Sequence, residues 1–125
     1  MKTLKIQIKS REQADAEFTN AFKAVQSGKK VIPSKGIYFT SLEAVRALLT
    51  DRRLALLHIV REHSPKSINQ LAKIVGRDFK NVHEDMMLLK HYGLIQMEEG
   101  RRTSKKMAGH AISVPYQAIN IHAVV

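Results

Sequence analysis

Residues 67–95 read SINQLAKIVGRDFKNVHEDMMLLKHYGLI, and their spacing predicts two short helices, a tight turn and a strand. Ser67 offers a capping oxygen where the first helix begins. Ile68, Leu71 and Ala72 then share one helical face, and Gly76 tolerates the left-handed backbone that ends it. The second helix is expected over residues 78–92. Its inward row is Val82, Met86 and Leu89, at offsets of four and three, with Phe79 and Tyr92 extending the row toward the two ends. Lys80, Asn81, His83, Glu84 and Lys90 make up the outward face. Gly93 stops the helix, and residues 94–98, LIQME, alternate as a strand.

Next come residues 99–110, EGRRTSKKMAGH, in which Arg101, Arg102, Lys105 and Lys106 stand between two glycines. Residues 111–114, AISV, resume the apolar alternation, so a hairpin with a basic tip over residues 98–111 is expected. Long cationic side chains on such a tip suit phosphate, because each neutralised phosphate releases condensed counterions.

Composition agrees with a polyanionic partner. The chain has 21 Lys and Arg against 11 Asp and Glu, a formal charge of +10. The excess is spread: residues 1–40 hold eight cations and three acids, residues 41–125 thirteen and eight, which is +5 for each part. Net charge alone does not separate DNA from RNA or from an acidic protein.

With 125 residues, 44% of them hydrophobic, one compact core is the expectation. The chain has no cysteine, which excludes disulfides, thiolate catalysis and cysteine-ligated metal, and fits a cytoplasmic location. The start, MKTLKIQIK, alternates apolar and cationic residues and lacks the continuous apolar run of a secretion signal. Histidines 58 and 63 are five apart and histidines 83 and 91 eight apart, so neither pair has the spacing of a helical metal site. His58, inside an apolar run, is expected in a core or an interface. Neither a P-loop, an HExxH nor a nucleophile elbow is present, so no enzyme and no cofactor are expected.

Leu4, Ile6 and Ile8 alternate with Lys5, Gln7 and Lys9 as a half-buried strand, and Ser10 with Gln13 forms a capping box. The helix that follows runs to about residue 26, with Ala14, Phe18, Ala21, Phe22 and Val25 on one apolar face. Residues 29–33 and 37–39 are expected as two strands around the turn at 34–36. Helical pattern resumes at Ser41, with Leu42, Val45 and Leu49 on one side. A further helix over residues 51–63 carries Leu54, Leu56, Leu57, Ile59 and Val60, apolar round more than half its circumference. The C-terminal residues 116–125 read as a strand with Ile119, Ile121 and Ala123 inward. An apolar edge of this kind calls for a partner, and Leu4-Ile6-Ile8 of the same or another chain is the candidate.

Residues 67–95 resemble the winged helix-turn-helix of MarR- and ArsR-like transcription regulators, with Leu71-Ala72, Val82, Met86, Leu89, Gly93, Leu94 and Ile95 in the motif places. The stretches L-T-D-R-R-L-A-L-L at residues 49–57, G-R-D-F-K-N-V-H-E-D at 76–85 and V-P-Y-Q-A-I at 114–119 are similar to a small group of predicted prokaryotic regulators. Glu84 departs from that group, whose members commonly carry a cation there.

The resemblance implies an α+β fold. A winged helix-turn-helix DNA-binding domain would occupy residues 41–125; the N-terminal strand–helix–hairpin extension over residues 1–40 is expected to dimerise because the 51–63 helix is over-apolar and the apolar strands lack partners. It implies a homodimeric regulator of double-stranded DNA, repressing its own operon, with helix 78–92 in the major groove and the wing 98–111 on phosphate or the minor groove. Asn81 and His83 are the candidates for base edges; Ser67, Arg77, Lys80, Arg101, Arg102, Lys105 and Lys106 are the candidates for the backbone. Some members neighbour toxin genes, which implies an antitoxin with a toxin protein partner as the rival reading. RNA binding by a basic winged helix is the third.

Overall fold

The structure, a computed structural model, describes residues 2–29, 36–98 and 111–125. It is α+β, with five helices and two small sheets among the described residues. The chain forms two compact units, residues 1–47 with 118–125, and residues 48–117. The C-terminal strand thus belongs to the same unit as the N-terminal residues.

The first unit contains β1 (Thr3–Ile8), α1 (Arg11–Gln26), β2 (Ile37–Phe39) and β5 (Ala118–Ala123), with α2 (Leu42–Leu48) at its boundary. The sheet is parallel throughout, in the order β2-β1-β5. Leu4 lies beside Ile119 and Ile6 lies between Ile37 and Ile121, so β5 pairs with Leu4-Ile6-Ile8 of its own chain. The expected hairpin is corrected in its second arm: β2 pairs in parallel with β1 after a helical crossover, a βαβ arrangement. Residues 30–35, which include most of its first arm and turn, lie outside the described residues.

Leu4 and Ile6 are buried, but β5 does not turn its whole apolar row inward. Ile119 is half-buried, whereas Ile121 and Ala123 are exposed, as befits an edge strand whose face is only partly covered. The apolar face of α1 is not covered by its own chain; the helix buries no residue. Its Ser10–Gln13 capping box is present in both directions, at 2.9 and 3.1 Å. Lys9, itself buried, ion-pairs with Glu17 of α1 and stands 5.3 Å from the Tyr38 ring centroid.

Gly36 leads into β2 with φ 153°, and a Cβ there would lie 2.5 Å from the backbone oxygen of Lys5. The backbones of the two strands approach so closely at this point that only glycine fits. Gly28, by contrast, has φ 79° but open space around it.

The second unit contains α3 (Asp51–His63), α4 (Ile68–Val75), α5 (Phe79–His91), β3 (Gln96–Glu98) and β4 (Ala111–Ser113). Thr50 caps α3 by accepting from the Arg53 amide at 3.2 Å. Leu56, Leu57 and Val60 of α3 are buried together with Leu71 and Ala72 of α4 and Val82, Met86 and Leu89 of α5. Leu54 is exposed and Ile59 half-buried, which leaves the surplus apolar surface of α3 uncovered. His58 is also exposed, beside Glu62 at 3.3 Å, because position 58 lies away from the buried row at 56, 57 and 60; it is not part of the core of its own chain. Among the described residues, no helix is long and apolar enough to cross a membrane.

The close approach at Gly36 predicts that Gly36→Ala lowers stability by about 2 kcal/mol or more, since two backbones must part. Gly28→Ala meets only its own backbone preference, about 1 kcal/mol. Urea titration followed by circular dichroism should therefore place the Gly36→Ala midpoint below that of Gly28→Ala.

Candidate nucleic-acid interface

Ser67 accepts from the Gln70 amide at 3.0 Å and so caps the start of α4. Gly76 ends α4 with φ 67°, and the Arg77 amide closes back onto the Ala72 carbonyl at 3.1 Å. The chain turns sharply there and enters α5 at Asp78, whose side chain makes no capping bond.

Val82, Met86 and Leu89 are completely buried, which fixes the rotation of α5 about its axis. The opposite side presents Lys80, Asn81 and Glu84, all exposed. His83 lies on the flank, half-buried, its ring 5.6 Å from that of Phe79. Phe79 and Tyr92 do not extend the core as expected; both are exposed, because α5 outruns its packing at either end.

Asp85 occupies the other flank. Arg53 Nε of α3 donates to its Oδ1 at 3.2 Å and an Arg77 Nη to its Oδ2 at 2.8 Å. Arg53 also donates to the Leu48 carbonyl at 3.1 Å. One carboxylate thus joins α3, the α4–α5 turn and α5. Arg77, expected at a phosphate, is engaged in this pair, with about a quarter of its side chain exposed. Nothing local in the sequence marks the group, since Arg53 and Asp85 are 32 residues apart.

After α5, Leu94 and Ile95 are buried and β3 pairs antiparallel with β4, Gln96 beside Ser113 and Glu98 beside Ala111. Arg61 of α3 donates to the carbonyls of Val114 and Tyr116, at 3.1 and 2.8 Å, and so anchors the chain leaving β4. The expected basic tip, with Arg101, Arg102, Lys105 and Lys106, lies outside the described residues. Of the candidate residues, the structure therefore places Lys80 and Asn81 on the exposed side of α5, His83 on the flank away from Asn81, and Arg77 in the pair with Asp85. Sequence reasoning missed Asp85, Arg53 and Arg61, which hold this surface in place. No group of three His, Asp or Glu that could hold a metal occurs among the described residues.

Removing the carboxylate leaves two guanidinium groups facing each other, so Asp85→Ala should cost about 1–3 kcal/mol. Arg77→Ala should cost less, because Arg53 still neutralises Asp85. A double-mutant cycle between Arg77 and Asp85, read by urea unfolding, should give a coupling energy of about 0.5 kcal/mol or more.

Compared with known proteins, the chain matches the HVO_A0114 family model over residues 48–121 and belongs to that family. The match takes in the whole of the second unit and enters β5 as far as Ile121. No curated protein and no solved structure matches it.

Proposed function

We propose that this member of the HVO_A0114 family is a sequence-specific regulator of double-stranded DNA, a homodimer that represses its own operon. The reading takes α4, the Gly76 turn, α5 and the β3–β4 hairpin as a winged helix-turn-helix. Its main support is the setting of α5, which is buried along one side by three apolar residues, clamped on a flank by Asp85, and open on the side that bears Lys80, Asn81 and Glu84. A rigid helix with short polar side chains on its first two turns is what reading a major groove requires.

Asn81 has the paired donor and acceptor that match adenine N6 and N7, and Glu84 accepts from a cytosine amino group. His83 reaches base edges from the flank. Lys80 and the Ser67 end of α4 take phosphates, and Arg101, Arg102, Lys105 and Lys106 add contacts from the wing. Arg77 acts chiefly through Asp85, setting the angle of α5. The formal charge of +10 supports a polyanionic partner and speeds encounter.

The test is fluorescence anisotropy across a salt series, with the duplex upstream of the gene, a scrambled duplex of equal length and a structured RNA. A preference for the upstream duplex that persists at physiological salt is the expected result. Equal affinities that fall together as salt rises would overturn specificity, and a preference for RNA would replace DNA as the ligand. Asn81→Ala should lose about 1–3 kcal/mol on the preferred duplex and little on the scrambled one. Alanine at all four wing cations should instead weaken both duplexes and flatten the salt slope by about 0.9 for each phosphate no longer neutralised.

A further inference from the structure

α1 is 16 residues long and buries none of them, yet Phe18, Phe22 and Val25 stand 74%, 56% and 61% exposed along one side. Ala14 and Ala21, at the edge of the same stripe, are half-buried. A helix of this length is marginal without packing, and a stripe of this kind calls for a partner.

The order of residues in the stripe selects the partner. Ala14, Phe18, Ala21 and Val25 follow one another at spacings of four, three and four, the seam of a two-helix coiled coil. Large residues fill one set of seam positions and alanines the other. If two copies of α1 pair head to tail, Phe18 falls opposite Ala21 and Ala14 opposite Val25, large against small in each layer. Parallel pairing would oppose Phe18 to Phe18 and Ala21 to Ala21, crowding one layer and emptying the next.

Charge agrees with the head-to-tail arrangement. The first half of α1 carries Glu12, Asp15 and Glu17 against Arg11, with Glu17 paired to Lys9 of its own chain, and Lys23 stands near the end of the helix. Antiparallel copies set the acidic half of each beside the basic end of the other and oppose their helix dipoles.

We propose that α1 is the homodimer seam of this protein and pairs antiparallel with α1 of a second copy through Ala14, Phe18, Ala21 and Val25. This deepens the dimeric part of the reading above and is independent of what the dimer binds. The absence of cysteine from the sequence allows a direct test on the full chain without DNA. Ala14→Cys and Val25→Cys variants are oxidised separately, then after mixing and subunit exchange, and run on a non-reducing gel. The mixture is expected to give a species of twice the chain mass, while each variant alone does not.

Cross-linking within each single variant would indicate parallel pairing and overturn the antiparallel seam. No cross-linking in any sample would overturn the pairing itself. Light scattering at micromolar concentration provides the second readout: the wild-type chain should have twice the monomer mass, and Phe18→Glu should halve it while retaining its helical circular dichroism. A wild-type monomer, with α1 lying against its own chain, would overturn the proposal and leave DNA recognition to be judged on a single half-site. Failure to prefer operator DNA would leave the seam standing.

Discussion

The carboxylate of Asp85 is the point at which the second unit is held together by charge. Three separate segments meet there: α3 through Arg53, the turn after α4 through Arg77, and α5 through Asp85 itself. Apolar burial of Val82, Met86 and Leu89 sets how α5 is rotated, but burial is non-directional and permits sliding along the axis. Two charge-assisted hydrogen bonds from different elements to one carboxylate remove that freedom. The outward face of α5 is consequently presented at a defined height as well as a defined rotation.

The first unit is built on a different constraint. Its central strand β1 is paired on both sides by parallel strands, and β5 comes from the other end of the chain. The whole second unit is thus a sequence insertion between α2 and β5. Parallel pairing with β5 gives the apolar C-terminal strand a partner and removes one exposed edge of β1. It leaves α1 as the one long helix among the described residues without a buried side chain, and the proposed pairing with a second copy rests on the large-and-small alternation along its stripe.

Much of the second unit was legible in the sequence because its determinants are local. The cap at Ser67, the left-handed Gly76 and the Val82-Met86-Leu89 row lie within a few residues of what they specify, and each appears at the expected place. The outward position of Lys80 and Asn81 follows from the same row. The first unit was less legible because parallel pairing is non-local: a strand at 37–39 after a turn-like stretch looks like a hairpin arm, and its partnership with β1 depends on the helix between them. The Arg53–Asp85–Arg77 group and the Arg61 anchor were invisible for the same reason. Charged residues on helices carry no local mark of their partner.

These constraints converge on a fixed polar helix face, proposed to read DNA sequence as one half of a two-fold pair. Selection from a randomised duplex pool at physiological salt tests that proposal directly and needs no operator to be known in advance. Enrichment of an inverted repeat is expected, with half-site centres about 10–10.5 base pairs, or a multiple of that, apart. A bound pool with the same composition as the starting one would contradict it.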